Sequence, residues 1–231
     1  TYKNYKIDKI NLLSGDQKIN FFGSYKSFDN MDINLKLEKV LLENILPKNI
    51  RIETKGEVNL DFYVNRNNGL DRSKGDLIIN KLVINKYEYG DFELNFNSMP
   101  ENKKYILNSF VKKDDFNNMM AYGDLLFSDE KISSDIKIEL SDFSLSFLSK
   151  IGVNKIEKIK GDISGNVNLV GDIYNPELHG KLKLKNSSLY IPYTNTEYKF
   201  KDLSTVSLRG QQFVFEKIVF NDLDYKTEAL L

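Results

Sequence analysis

His179 is the only histidine, and the chain has no cysteine. A histidine-based triad, a multi-histidine metal site and a thiolate nucleophile are therefore all excluded. His179 stands between Leu178 and Gly180 at a polar position of an alternating segment, which predicts a solvent-facing strand residue. Carboxylates are plentiful, and two facing each other could do the work of a glycosidase pair. Asp61, Glu93 and Glu139, however, fall on the polar phase of alternating segments, where such groups keep a face wet. Asp114-Asp115 and Asp129-Glu130 offer hard oxygens to calcium, yet neither follows the D-x-D-x-D-G loop pattern, and both read as surface turns. Gly161-x3-Gly165 has the spacing of a membrane helix dimer, but Asp162, Asn166 and Asp172 rule out the apolar helix that motif needs. No catalytic residue, cofactor or metal site is expected.

Charge narrows the partners. Basic and acidic residues number 33 each and are interspersed. That leaves neither a basic footprint for nucleic acid nor a polybasic membrane patch. The 13 tyrosines and 15 phenylalanines fall on strand phases amid this balanced charge, which favours packing or ligand-facing roles over base stacking. No apolar run approaches the length of about 18 residues that spans a bilayer.

What remains to be positioned is an apolar stripe. Strict alternation, the mark of a strand burying one face, recurs along the 231 residues. It runs through Ile33, Leu35 and Leu37, then Val58, Leu60, Phe62 and Val64, then Phe92, Leu94 and Phe96. Further on it runs through Ile136, Ile138 and Leu140, Val167 and Leu169, and Leu182 and Leu184. Asn65 to Gly75 and Ser98 to Lys104 read as polar turns, and Lys112 to Asn118 as a charged hairpin tip. The apolar phase flips after Leu37, to Val40 and Leu42, and again after Leu140, to Phe143 and Leu145. A flip at two equivalent places predicts a shared bulge or turn. Each leads into a short helical stretch, Leu41 to Pro47 and Phe143 to Gly152.

These coincidences extend into a repeat. Gly56-Glu-Val58-Asn-Leu60 matches Gly165-Asn-Val167-Asn-Leu169, and Gly75, Leu77 and Ile79 match Gly180, Leu182 and Leu184. The unit is roughly 105 residues, mostly strand with one short helix. Copy one covers residues 5–104 and copy two 105–210, and a third begins at 211–231 with Phe213 and Phe215. The reading predicts a glycine after Leu231 in any longer parent. The whole chain, 1–231, is expected to form one continuous segment.

Gly161, Gly165, Gly171, Pro176 and Gly180 follow the spacing G-x3-G-x5-G-x4-P-x3-G. Leu182, Leu184, Asn186, Ser188, Tyr190 and Ile191 come next, then Tyr198, Phe200, Asp202 and Leu203. From about Ile159 to Phe220 this pattern resembles the TamB family, inner-membrane-anchored proteins of outer-membrane biogenesis akin to AsmA-like and bridge-like lipid-transfer proteins. The resemblance implies an all-β fold, an elongated antiparallel sheet curled into a U-shaped β-taco groove. It implies no catalytic residue. It places the chain in the periplasm of a diderm bacterium as part of a longer protein whose membrane anchor lies outside this piece.

Two arrangements of the stripe satisfy the pattern: a filled sandwich core closed by a second sheet, or one sheet curled so that the stripe lines a groove. Under the second, implied by the resemblance, Ile33, Leu35, Leu37, Val58, Leu60, Phe62, Val64, Ile136, Ile138, Leu140, Val167, Leu169, Leu182 and Leu184 would line a path for phospholipid acyl chains. Roughly fourteen strands at about 4.8 Å each would supply about 60–70 Å of it. The partners would be phospholipid, an outer-membrane barrel protein and adjoining repeats of the same chain, with no nucleic acid. Two other readings stay open: assembly of autotransporters and outer-membrane barrels through exposed edge strands, and a structural adhesin or passenger repeat with a closed core.

Overall fold

The computed structural model describes residues 4–47, 52–100, 103–128, 131–150, 157–193, 195–201, 204–216, 219–222 and 228–230. Among them the chain is almost wholly strand. The first half contains β1 (Tyr5–Ser14), β2 (Gln17–Ser27), β3 (Asn30–Leu41), a single helical turn α1 (Leu42–Ile45), β4 (Thr54–Asn67), β5 (Leu70–Asp71), β6 (Lys74–Ile84), β7 (Tyr87–Met99) and β8 (Lys104–Lys113). The second half contains β9 (Phe116–Phe127), β10 (Ile132–Ser144), a 3-10 turn (Leu145–Lys150), β11 (Glu157–Asp172), β12 (Glu177–Ile191), β13 (Thr196–Phe200), β14 (Thr205–Gly210), β15 (Gln212–Glu216), β16 (Val219–Asp222) and β17 (Glu228–Leu230).

All the described strands belong to one sheet, and every pairing is antiparallel. From β1 to β12 each long strand pairs with the next, the two-residue β5 merely extending the end of β4. At β12 the sheet forks: Leu178–Lys183 pairs with β14, and Ser188–Ile191 with β13. β14 continues to β15, and β13 to β16 and β17. No second sheet packs on the first among the described residues.

The alternation does what its period requires. Register places Ile10, Phe21, Leu35, Phe62, Gly75, Phe96, Leu107, Gly123, Ile136, Leu169 and Leu178 in a single row across successive strands. On the same face, beyond the row of Leu37, Leu60, Leu77 and Leu94, another row runs Val40, Val58, Ile79, Phe92, Val111, Met119, Leu140, Gly165, Leu182 and Val206. Side chains in such rows touch their cross-strand neighbours, which is the unit of sheet stabilisation. Glycine interrupts the rows where space is needed. A Cβ on Gly75 would lie 2.1 Å from the Phe96 ring, which fills that gap and meets Phe62 with centroids 5.8 Å apart.

The two phase flips are β-bulges. Pairing shifts between Leu37 and Val40 on β3 and between Leu140 and Phe143 on β10. Each bulge holds a residue at positive φ, Lys39 and Asp142. Their backbone N–H groups, released from the ladder, donate to side chains on the next strand: Lys39 N to Asn59 Oδ1 at 3.0 Å, and Asp142 N to Ser164 Oγ at 2.8 Å. A third bulge on β6 uses the same device, Lys81 N donating to Asp91 Oδ1 at 2.8 Å. Satisfying a freed donor in this way spares most of the cost of leaving it unpaired.

Past the first two bulges the chain turns onto the apolar face. Leu42 of α1 joins a buried cluster with Leu37, Val40, Val58, Leu82, Tyr89 and Val111. Leu145 of the 3-10 turn joins Ile163, Val167, Leu184, Val206 and Leu208. Phe143 packs against both clusters. Tyr89 ties the two regions together, its hydroxyl donating to the Ser144 carbonyl at 3.2 Å and accepting from Phe147 N at 2.8 Å. The helical stretches read from sequence are thus real but shorter. Phe143 and Ser144 still belong to β10, and Gly152 lies outside the described residues, as do Asp129, Glu130, Asp202, Leu203 and most of 217–231.

Candidate functional site

At the strand ends opposite the helical turns, the apolar face is not filled. Phe62 and Val64 of β4, Leu94 and Phe96 of β7, Leu107 of β8, and Leu125 and Phe127 of β9 line an open cavity of about 280 Å³. It adjoins a second, of about 580 Å³, through the shared residues Arg66, Tyr105 and Phe127. The walls of the second come from the turns joining β2–β3 (Phe28, Asp29), β7–β8 (Met99, Pro100, Lys103) and β9–β10 (Ser128, Lys131), and it reaches Tyr174 between β11 and β12. Turns from so many strands meet around one mouth because the sheet bends towards its apolar side.

A polar clamp spans that bend. Arg66 of β4 donates from Nη2 to the Tyr105 hydroxyl of β8 at 2.9 Å and from Nε to Asp71 Oδ2 at 2.8 Å. In a flat sheet β4 and β8, with β6 and β7 between them, would stand about 14 Å apart. Tyr105 in turn donates to Asp71, as does the Ser73 hydroxyl. Ser98 closes the set, accepting from Ser73 N at 2.7 Å and donating to the Asp71 carbonyl at 2.9 Å. The Arg66 guanidinium also lies 4.1 Å over the Phe28 ring, linking the β2–β3 turn.

Burial alone would raise the Asp71 carboxyl, but bonds from Ser73, Tyr105 and Arg66 outweigh it and hold the group below the usual carboxylate range. Burial raises the Tyr105 hydroxyl, so it stays a neutral donor. Arg66 loses to burial and gains more from Tyr105 and Asp71, for a net shift upwards. The clamp therefore consumes its own charges: its cation is paired, its carboxylate is spent and its phenol is no base. Lys104 at the rim is likewise held by Asp124 at 2.6 Å. Together these groups fix a shape and present hydrocarbon surface inside it. They do not assemble a nucleophile with a base.

The residues picked out by alternation all lie on the apolar face, but they divide by role. Phe62 and Val64 line the cavity. Leu37 and Val58 are buried in one packed cluster, with Leu35 and Leu60 against it. Val167 and Leu184 are buried in the other, with Ile138, Leu140 and Leu182 against it. Ile33, Ile136 and Leu169 are half-buried in the rows between. The clamp and the β8–β9 walls were missed. The alternation of β7 does name two of the lining residues, Leu94 and Phe96.

The excluded chemistries sit where alternation put them. His179 is exposed on β12 beside Glu177 at 3.1 Å, Asp61 and Glu93 are exposed, and Glu139 bonds Lys137 and Tyr122. Asp114 and Asp115 form the β8–β9 turn, at positive φ. Gly161 and Gly165 lie within strand β11. Among the described residues no group of carboxylates or His179 could hold a metal, and no helix is long and apolar enough to cross a membrane.

No protein-family profile matches the chain, and no solved structure matches it. The chain is similar to a protein of Buchnera aphidicola subsp. Schizaphis graminum (strain Sg) described as uncharacterized, with 29% identity over 161 residues. That stretch is 70% of this chain and 13% of the relative, so the chain spans a small part of that protein's length.

Proposed function

We propose that this chain is a segment of a TamB-like protein, and that its apolar face holds phospholipid acyl chains in transit through the periplasm. The observation that carries the reading is the unfilled apolar cavity under the Arg66–Tyr105 clamp, walled by side chains of four strands. A buried methylene gains on the order of 0.8 kcal/mol on leaving water, so such a wall retains hydrocarbon without any specific bond. Chains would lie against the inward rows with head groups at the turn-side mouth, and no bond would be made or broken. The groove would continue along the stacking direction of the strands.

Within this reading the chain carries two copies of a unit of roughly 105 residues. The bulges support it. Val58 lies opposite one bulge and Ile163 opposite the other, 105 positions later. On that register Gly56 corresponds to Gly161, four residues before the Gly165 that sequence matching selects.

The test is a photo-crosslinking residue at Phe96, inside the cavity, and at Glu93, on the wet face, in the full-length parent expressed in a diderm cell. Phospholipid adducts from position 96 and none from 93 are expected. Equal labelling, or none from 96, overturns the proposal.

A further inference from the structure

Opposite the apolar rows, the polar face of β11, β12 and β14 forms a basin of about 890 Å³. Its axis is β12, where His179, Lys181 and Lys183 project from alternate residues. Register sets Asn168, Asn166 and Ser164 beside them on β11, and Arg209, Ser207 and Thr205 on β14. Ser207 is 2% exposed and forms the floor, while Lys181 and Lys183 are exposed.

Gly165 and Gly180 contribute backbone to its lining. They sit at φ +148° and +157°, a conformation L side chains rarely adopt. A Cβ on either would lie 2.1 Å from a carbonyl oxygen of the adjoining strand, Lys181 or Asn166. Backbones this close leave no room for a side chain at either position.

Part of the wet face pairs its lysines with carboxylates, Lys18 and Lys36 on Glu38, Lys104 on Asp124, Lys137 on Glu139 and Lys160 on Glu197, while Lys26 and Lys74 are left exposed. Acids do reach the two ends of the basin, Glu177 at His179 and Asp142 at Lys185, and Asp142 also accepts from the Ser164 hydroxyl at 3.2 Å. Between them Lys181 and Lys183 have no carboxylate in ion-pair range among the described residues, and their cross-strand neighbours are Asn, Ser and Thr. Two ammonium groups on a strand, two residues and so about 6.8 Å apart at their Cα atoms, are left facing a hollow lined with neutral hydrogen-bonding side chains.

We propose that this basin binds a ligand carrying at least two phosphate groups, with Lys181 and Lys183 as its charge contacts and Asn166 as a flanking polar contact. It lies on the face opposite the apolar cavity, so it stands or falls independently of the acyl-chain reading. Phosphate suits the site because lysine binds it as a point charge. Concavity with paired cations favours several charges on one molecule over one.

The test is calorimetric titration of the chain with inorganic tripolyphosphate and with orthophosphate at two salt concentrations. A double variant, Lys181→Gln with Lys183→Gln, is set beside a control of equal charge, Lys36→Gln with Lys137→Gln. Tripolyphosphate is expected to bind at least tenfold more tightly than orthophosphate, with affinity falling as salt rises. The basin variant should lose at least tenfold while the control keeps its affinity and both melt as the parent does. Equal losses in the two variants would mean diffuse charge and would overturn the proposal, as would no preference for tripolyphosphate. Phosphatidylcholine vesicles carrying phosphatidic acid separate the sources. Sedimentation with them, lost in the basin variant, assigns the phosphates to lipid head groups; binding to tripolyphosphate without sedimentation assigns a free oligophosphate.

Discussion

At the scale of single residues, the most constrained group is the Asp71 carboxylate, which receives three side-chain donors in a half-buried setting. Asp71→Asn keeps the shape and removes the charge, leaving Arg66 without its counter-ion. A loss of about 1–3 kcal/mol at neutral pH is expected, read from urea midpoints. The pH dependence follows from the direction of the shift. A carboxyl held below its ordinary 3.8 in the folded state stabilises the fold above that value, and this contribution is lost as pH falls through the folded value. The gap between parent and variant should therefore narrow below about pH 4; a gap constant down to pH 2 would show that the charge is not what matters. Tyr89 is the counterpart at the other end of the strands. Burial pushes its hydroxyl up to about 12, so it serves as a neutral bridge to Ser144 and Phe147 across the physiological range.

At the scale of elements, strands were legible and their junctions were not. Period-two alternation is a local property, so the apolar phase of β3, β4, β7, β10, β11 and β12 could be read from each segment alone. The two phase flips announced the bulges at Lys39 and Asp142 for the same reason. Arg66, Asp71 and Ser73 lie within a stretch whose composition says only polar turn, and their partner Tyr105 is 39 positions from Arg66. No local period encodes a contact made by bending three strand spacings towards one another. The helical turns were overestimated because an apolar stretch does not reveal where its ladder pairing stops. Glycine is the element-level determinant that can be tested: a Cβ on Gly123 would lie 2.0 Å from the Asp135 carbonyl on β10. Gly123→Ala should cost more than about 1 kcal/mol, since φ there is +156° as well. A melting temperature equal to that of the parent would show that β9 and β10 can part at no cost.

At the scale of the whole molecule, one sheet presents two unlike faces. Its apolar face is packed near the helical turns, where two clusters fill it, and hollow at the opposite strand ends. Its polar face dips into a cationic basin at β11, β12 and β14. Nothing in the composition marks either hollow, because both arise from how the sheet bends. The order of pairing carries a further consequence. From β1 to β12 each long strand finds its partner in the stretch just before it, so its ladder pairing waits for no distant part of the chain. A polypeptide delivered from one end, whether by a ribosome or through a translocation pore, can solidify hairpin by hairpin as it emerges, each finished strand serving as the template for its successor.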